Sequence, residues 1–296
     1  MPGAELLWVV FLFLAFAPMF QRRALELRRM QFLRAWERRR GRRLIALIHR
    51  QETMSVLGFP LLRYIDIQDS EELLRALRLT PDDVPIDVVL HTPGGLALAA
   101  EQIAHAICHR AGEVTVYVPH YAMSGGTLIA LAADHIVMDP NAVLGSLDPQ
   151  LGPHPAASIL RAVEWKTERK EELEDETLIL ADVARKAIAQ LRECVRGVLV
   201  ERHAPEEADR LADVFTRGEW THDNPLTVDD LRRLGLRIDT DMPRELYDFM
   251  RLFGQPGTAR PSVQYVPLPY RPGPSSRPMP APPAAPPRAP AQSGRG

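Results

Sequence analysis

The chain has 296 residues, of which 46% are hydrophobic and 25% are charged, and its formal net charge at pH 7 is −2. This length is enough for one large or two modest globular domains, and the near-neutral charge gives no indication of nucleic-acid binding. The two cysteines, Cys108 and Cys194, lie in separate helix-like segments, which excludes a disulfide framework and a cysteine-based metal site. Such sparse cysteine usage fits a reducing compartment.

The N-terminus begins with an apolar run at residues 6–20. This run is shorter than the roughly 20 residues that a perpendicular transmembrane helix needs. No basic residue precedes it, and Arg22 and Arg23 follow it, which is the reverse of the charge order in a cleaved signal peptide. We therefore predict an uncleaved N-terminal membrane anchor over residues 1–23.

Residues 24–42 are predicted to form a basic juxtamembrane helix. Ten arginines and two acidic residues lie between residues 22 and 43, interleaved with leucine, phenylalanine and tryptophan. The arginines are expected to contact anionic lipid headgroups, and the positive-inside rule places the rest of the chain in the cytoplasm. An amphipathic helix that lies in the membrane interface is the alternative to a spanning anchor.

Residues 43–253 have the pattern of an α/β domain. Short apolar runs alternate with helix-like segments, which predicts β/α units with a mostly parallel sheet, followed by a helical segment after Pro155. The predicted strands are 44–48, 61–67, 85–90, 114–118 and 135–138, and the predicted helices are one capped by Ser70, then 96–110, 127–133 and 174–201.

The C-terminal segment, residues 254–296, is predicted to be a disordered tail. It holds 13 of the 27 prolines of the chain, together with glycine, serine and alanine. A segment of this composition buries too little apolar surface to offset the entropy lost on folding.

Ser124 lies at a predicted corner between a strand, 114–118, and a helix, 127–133. A serine at such a corner can be a nucleophile whose hydroxyl is exposed to a substrate. The next amide, Gly125 N–H, would lie at a helix N-terminus, where an unpaired donor and the helix dipole favour an oxyanion. The alternative is that Ser124 only caps the helix.

Three loops follow predicted strands at the same edge of the sheet, where open α/β sheets bind ligands. In the first loop, Gly94 and Gly95 could form only a tight turn, or Gly95 N–H could join Gly125 N–H as a second oxyanion donor. The residues of these loops that we predict to bind substrate are Gly94, Gly126, Ser146 and Asp148.

Four segments carry a resemblance to a known family. They are His91-Thr92-Pro93-Gly94-Gly95, Tyr121-Ala122-Met123-Ser124-Gly125-Gly126, residues 132–138 and Gly145-Ser146-Leu147-Asp148-Pro149-Gln150. The chain resembles the Clp/crotonase superfamily, and most closely the serine dehydrogenase proteinase family, which is related to signal peptide peptidase A and the NfeD-type membrane proteases. The resemblance implies a Clp/crotonase-like fold, a serine protease activity and a homo-oligomer. It also implies Ser124 as nucleophile and the amides of Gly95 and Gly125 as the oxyanion hole.

The general base is harder to place. Clp peptidases use a histidine about 25 residues after the serine, but residues 143–149 contain none. His154, between two prolines, has the sequence context of an exposed loop residue. The related membrane proteases use a lysine on a later helix, and residues 184–190 resemble that helix. The resemblance therefore points to Lys186.

The chemistry of lysine agrees with this assignment. Only three lysines occur among the 36 basic Lys and Arg residues, and arginine cannot be deprotonated to act as a base. Lys186 lies among apolar residues on a helix that we expect to be partly buried, and burial lowers a lysine pKa. Two arguments oppose the role of Lys186 as base. Lys186 could be a surface lysine on the helix, and Asp182, if close to it, would raise the pKa of Lys186.

These observations predict a membrane-anchored serine endopeptidase with a Ser124–Lys186 dyad. Its expected partners are a peptide or protein substrate and membrane lipid, without nucleic acid, metal or cofactor. Two alternatives are a non-catalytic membrane scaffold of the same fold and, with less support, a crotonase-type acyl-CoA enzyme. The residues for which structural roles are favoured over catalytic ones are Asp134, Asp139, His120 and His135.

Overall fold

The computed structural model describes residues 2–50, 54–56, 59–61 and 64–253. The proline-rich segment that was predicted to be a disordered tail lies outside these residues.

The described residues form an α/β fold with twelve strands and nine helices. The strands are β1 (Arg43–Ile48), β2 (Met54–Val56), β3 (Phe59–Leu61), β4 (Ile86–His91), β5 (Val114–Val118), β6 (Tyr121–Ala122), β7 (His135–Met138), β8 (Val143–Leu144), β9 (Gln150–Leu151), β10 (His154–Pro155), β11 (Leu226–Thr227) and β12 (Ile238–Asp239). The helices are α1 (Pro2–Arg40), α2 (Ile67–Arg78), α3 (Ala97–Cys108), α4 (Gly125–Leu131), α5 (Ala156–Glu168), α6 (Asp175–Leu199), α7 (Pro205–Thr216), α8 (Val228–Arg233) and α9 (Arg244–Arg251).

The central sheet has five parallel strands in the order β1-β4-β5-β7-β12. One row of paired residues crosses all five strands, from Ile45 through Val88, Val116 and Ile136 to Ile238. These β-branched residues face the larger core, which α2, α3, α4, α6 and α7 cover. Alternate residues point to the opposite face. The predicted fold class, an α/β fold with a mostly parallel sheet followed by a helical segment, is therefore confirmed.

The second face of the sheet is covered by α1 and α9. Trp36 of α1 is fully buried, and its indole N–H donates a hydrogen bond to Asp87 Oδ2 over 2.7 Å. Phe32 stacks on Phe249 of α9 with ring centroids 4.5 Å apart. Arg29 donates to the carbonyl of Leu252. The C-terminal half of α1 is thus part of the domain core, because its aromatic residues fill the space over the sheet.

Helix α1 runs without interruption across the predicted boundary between residues 23 and 24. No helix among the residues that the structure describes is both long enough and apolar enough to cross a lipid bilayer.

The predicted strand at 61–67 is wrong over its second half. Ile65 makes only an isolated bridge with Gly95, and α2 begins at Ile67. Asp66, and not Ser70, is the N-cap: Asp66 Oδ1 accepts from the Asp69 amide and Asp69 Oδ2 accepts from the Asp66 amide. This reciprocal capping box starts the helix earlier than the apolar pattern indicated.

Candidate active site

Ser124 lies at the sharp corner between β6 and α4. Its backbone angles, φ 50° and ψ −120°, fall in a region that side-chain-bearing residues rarely occupy, and Lys170 is the other described non-glycine residue with positive φ. Ser124 occupies the N-cap position of α4, but its side chain makes no capping hydrogen bond. Its carbonyl accepts from Thr127 N–H over 2.8 Å instead. The hydroxyl is therefore not used to start the helix, and the strain of the corner is retained without a capping role.

The loop of Gly94 and Gly95 lies directly against Ser124. Gly94 has a φ of +106°, and a Cβ atom on it would lie 2.7 Å from Ser124 Cβ and 3.3 Å from Ser124 Oγ. Ile65 N–H donates to the Gly94 carbonyl over 2.7 Å and holds the loop in this position. Only glycine fits this approach, because both the backbone angle and the space exclude a side chain.

The amides of Gly95 and Gly125 lie close together beside this corner. A Cβ atom on Gly125 would be 3.8 Å from the Gly95 nitrogen, and one on Gly95 would be 2.2 Å from the Ile65 carbonyl oxygen. Neither N–H donates a hydrogen bond to another described residue. The Gly125 amide also belongs to the first turn of α4, where the helix dipole favours negative charge. Two unpaired donors beside a hydroxyl can bind a developing oxyanion.

A buried histidine supports the glycine loop from behind. His49 Nδ1 is 3.0 Å from Thr92 Oγ1, and His49 Nε2 is 3.1 Å from Asp69 Oδ2. Thr92 Oγ1 in turn accepts from Gly94 N–H over 3.2 Å. This chain of contacts connects α2 to the loop that covers Ser124. The sequence analysis did not predict it, because His49 and Asp69 are far from Gly94 along the chain.

Ser124, Gly95 and Gly125 open into a cavity of about 560 Å³. This volume is within the range of ligand-binding pockets. Its apolar walls include Leu128 of α4 and Leu191 of α6. The cavity therefore has a polar corner with two amide donors beside apolar walls.

Asp148 and His222 contribute a second polar group to the same cavity. His222 Nδ1 is 2.7 Å from Asp148 Oδ1, and Asp148 is only 4% exposed. Asp148 also accepts from Ser146 Oγ over 3.1 Å and from Gln150 Nε2 over 2.5 Å. The hydrogen bond that His222 donates to the Asp148 carboxylate raises the pKa of His222 above its ordinary value. Asp148 is thus a buried, hydrogen-bonded carboxylate that faces histidine.

The other predicted substrate-binding residues have different surroundings. Gly94 contacts Ser124, as described above. Ser146 is 1% exposed and donates to Asp148 and to the Thr221 carbonyl, so its hydroxyl is occupied within the protein. A Cβ atom on Gly126 would lie 2.6 Å from the Thr92 methyl group, which places Gly126 in the packing below the loop.

The side chain of Lys186 lies on an exposed part of α6. Its neighbours on α6, Ala187 and Gln190, line the cavity. The Lys186 side chain is 68% exposed, and its Nζ is 2.5 Å from Asp182 Oδ2. The expected partial burial is absent because the side of α6 that carries Lys186 also exposes Val183, which is 43% accessible. The buried positions of this part of the helix are Ala181 and Ala184.

The residues that were given structural roles make local contacts. Asp134 accepts from Val114 N–H over 2.8 Å, and Asp139 accepts from Asn141 N–H over 2.7 Å. His120 packs against the His91 ring, and burial lowers its pKa. His135 is an exposed residue at the start of β7. Among the described residues, no cluster of three or more histidine, cysteine or acidic side chains could hold a metal ion.

His222 is the cavity residue that sequence reasoning missed. It lies in the loop between α7 and β11, and β11 pairs with β8, which precedes Asp148 by a few residues. This pairing returns the chain to the Asp148 loop. A histidine in the short polar segment Thr221–Asn224 was the available signal, but nothing local connects that segment to Ser124.

The chain matches a known protein family over most of its length. A family model described as ClpP-like SDH-type serine proteinase matches residues 3–278. Two proteins of Methanocaldococcus jannaschii, MJ1495 and MJ0137, both named as uncharacterized, are 51% and 50% identical over 91% and 89% of this chain and 92% of their own lengths. Membrane protein NfeD1b of Bacillus subtilis is 33% identical over 34% of this chain and 24% of its own length.

Similar solved structures have lower identity. One is a mutant of the 1510-N membrane-bound stomatin-specific protease, which is 20% identical, with a TM-score of 0.42, over 63% of this chain and 79% of that chain. Another is a mutant of ClpP1 from Listeria monocytogenes, which is 14% identical, with a TM-score of 0.41, over 71% of this chain and 98% of that chain.

Proposed function

The chain belongs to the ClpP-like SDH-type serine proteinase family, and from this premise we propose that it is a membrane-associated serine endopeptidase with Ser124 as its nucleophile. One observation carries the proposal. The Ser124 hydroxyl is held at a strained corner, in one cavity with two backbone amides that have no partner among the described residues. Strain of this kind is kept where the surrounding structure fixes a functional geometry.

The proposed reaction is acyl transfer. Ser124 Oγ attacks the carbonyl carbon of the scissile peptide bond, and the amides of Gly95 and Gly125 donate to the oxyanion that forms. The amine leaves with a proton, and water then hydrolyses the acyl-enzyme. A peptide in extended form suits a cleft that is bordered by glycine backbone, because its own amides can approach closely.

The sequence predicts Lys186 as the general base of this reaction. For the Ser124–Lys186 dyad to operate, the amine must leave Asp182 and turn toward the cavity that Ala187 and Gln190 already line. The amine must also be neutral, and an adjacent carboxylate opposes that. The dyad stays a prediction, and the structure offers a second candidate base, His222.

The nucleophile is tested with a fluorophosphonate probe and a fluorogenic peptide library. We expect the full chain to be labelled at Ser124 and to hydrolyse peptides, and Ser124→Ala to lose labelling and at least about 10³-fold in rate. Ser158→Ala is the matched control, since Ser158 is an exposed serine of α5, and it should behave as the wild type.

Two results would contradict the proposal. A wild-type protein that resists the probe and cleaves no peptide across a wide pH range would support a non-catalytic scaffold. Turnover of a short-chain acyl-CoA without peptide hydrolysis would instead support a crotonase-type enzyme.

Membrane association is the second part of the proposal. Residues 1–23 would be the anchor, 24–42 the basic segment and 43–253 the cytoplasmic protease domain, which we propose to form a homo-oligomer. Support comes from the apolar run at residues 6–20 and from exposed arginines of α1, such as Arg22 and Arg28. Anionic lipid would attract such arginines.

Deleting residues 1–23 tests this part. We expect the full chain to sediment with phosphatidylserine vesicles and the shortened chain to lose most of that binding. The melting temperature should change little, because the deletion leaves the contacts of Phe32 and Trp36 intact. Equal sedimentation of both chains would rule out the anchor.

A further inference from the structure

A carboxylate in the wall of the Ser124 cavity has no partner within the described part of the protein. Glu101 of α3 lines this cavity and is half-buried. Its side chain forms neither an ion pair nor a hydrogen bond with another described residue. Partial burial removes water from a carboxylate without replacing the lost hydrogen bonds, and a cationic group of a ligand can replace them. Glu101 is therefore a candidate contact for substrate.

Glu101 determines the sign of the charge that a ligand meets in the cavity. Asp148 and His222, the other charged side chains of the wall, face each other over 2.7 Å, so this pair carries no net positive charge. No lysine or arginine lines the cavity among the described residues, although the chain contains 36 of them. A cation that enters the cavity is thus attracted by Glu101 and is not repelled by a basic side chain.

Helix α3 leads from the oxyanion hole to Glu101. The helix begins at Ala97, directly after the Gly95 loop, and Ala97, Ala100 and Glu101 all line the cavity. With a rise of roughly 1.5 Å per residue, Glu101 lies about 6 Å beyond Ala97 along the helix axis. The four-carbon stem of lysine and the similar stem of arginine can span such a distance. A substrate side chain that starts beside Gly95 therefore reaches Glu101 only when it is long.

The opposite wall of the cavity suits the apolar stem of such a side chain. Ala187 and Leu191 of α6 line it together with Leu128 of α4. Burial and the carboxylate of Glu101 raise the pKa of Cys194, also on α6, to about 12, so the charge of Glu101 acts across the cleft between α3 and α6. Lysine and arginine pack their methylene groups on apolar surface while their charged ends stay at a polar group. The cavity offers both kinds of surface.

We propose that the Ser124 cavity selects peptides in which a lysine or arginine supplies the scissile carbonyl, and that Glu101 binds the charged end of that side chain. The proposal rests on the proposed serine endopeptidase function and names its substrate class. The scissile carbonyl lies at the amides of Gly95 and Gly125, so the side chain of the same residue is the one nearest the start of α3. Glu101 acts on the choice of substrate and takes no part in proton transfer.

The experiment compares fluorogenic peptides that differ only in the residue before the scissile bond. Norleucine has nearly the stem of lysine without its charge, and glutamate has the opposite charge. With the full chain, we expect kcat/KM for the lysine and arginine peptides to exceed that for the norleucine peptide by about 10–100-fold, the range of a hydrogen bond between charged groups. The glutamate peptide should be the slowest, because its carboxylate would face Glu101.

Two variants test whether Glu101 causes this preference. Glu101→Gln removes the charge and keeps the size, so the lysine and norleucine peptides should be cleaved with nearly equal kcat/KM. Glu101→Lys reverses the charge and should make the glutamate peptide faster than the lysine peptide, an exchange that loss of structure would not produce. Glu71→Gln is the matched control, since Glu71 is an exposed residue of α2, and it should keep the preference for lysine. Labelling of Ser124 by a small fluorophosphonate shows in each variant that the site is formed.

The outcomes separate this inference from the proposed function. A wild type that cleaves the norleucine peptide as fast as the lysine peptide, or a Glu101→Gln variant that keeps the preference for lysine, would overturn the role of Glu101 and leave the serine peptidase in place. If neither variant of Glu101 folds, the ranking of the peptides by the wild type decides. A wild type that is not labelled and cleaves no peptide would overturn the function itself, and this inference with it.

Discussion

The two halves of the cavity are built in different ways. On the side of Ser124, the backbone defines the geometry. Ser124 has a strained φ, Gly94 approaches Ser124 and Gly95 approaches Ile65, each so closely that it does not admit a Cβ atom. On the other side, side chains define it: Asp148 and His222 come from loops far apart in the chain and meet through one hydrogen bond of 2.7 Å.

This difference separates what local sequence can specify from what it cannot. A glycine pair after a strand and a serine before two glycines restrict the backbone by themselves. A hydrogen bond between two loops depends on the whole sheet, because β8 and β11 must first pair. The backbone half should therefore respond to a change in atomic volume, and the side-chain half to a change in charge.

The largest effect of an added side-chain atom is expected on the backbone half, from Gly94→Ala. Its new Cβ would lie 2.7 Å from Ser124 Cβ, at a φ of +106°. The loop must move, and both Ser124 and the Gly95 amide lose their positions. We expect kcat/KM for peptide hydrolysis to fall by about 10²–10³-fold, the cost of a misplaced oxyanion donor.

Gly41→Ala is the control that separates the effect of backbone strain from the effect of contact with Ser124. Gly41 also has a positive φ, +65°, but a Cβ atom there would meet no atom within 4 Å. This variant should lose about 1 kcal/mol of unfolding free energy and keep its activity. If Gly94→Ala hydrolyses peptides at the wild-type rate, the close approach of the loop has no catalytic role.

The fold shows the same difference between what local sequence specifies and what depends on distant parts of the chain. Buried β-branched runs predicted β1, β4, β5 and β7 because such runs suit a sheet covered on both faces. The strand at 61–67 failed because two aspartates, Asp66 and Asp69, cap a helix there. The docking of α1 was not predicted. Trp36 lies in a basic segment that suggested lipid contact, but it is buried over the sheet, where it donates to Asp87 of β4 and packs against Tyr117 of β5.

The site shows the same limit. Ser124, Gly95 and Gly125 could be placed together from two short segments, since parallel strands bring their carboxyl ends to one edge. The surroundings of Lys186 could not be predicted from the sequence. Helical periodicity shows which residues share a face of a helix, but it does not show whether another element covers that face. His222 was missed for a related reason: its loop joins the site only through the pairing of β11 with β8.

The smallest effect is expected on the free energy of unfolding, through the pair of Asp148 and His222. The raised pKa of His222 means that the charged pair with Asp148 stabilises the fold fully below the unfolded value of about 6.5. This contribution is lost as pH rises through the folded pKa. Because His222 is part exposed, it is worth at most about 1 kcal/mol.

His222→Gln tests this contribution, since glutamine can still donate to Asp148 but cannot titrate. Melting temperatures of the two proteins should differ by about 2–4 °C at most near pH 6, and the gap should narrow by pH 8.5. If His222 is the base for Ser124, acylation should speed up over the same pH range, because only the neutral imidazole ring can take a proton. Stability from the pair and activity should therefore change in opposite directions with pH. A gap in melting temperature that widens as pH rises would show that His222 is neutral in the fold throughout, and the charge-based description of this half would be wrong.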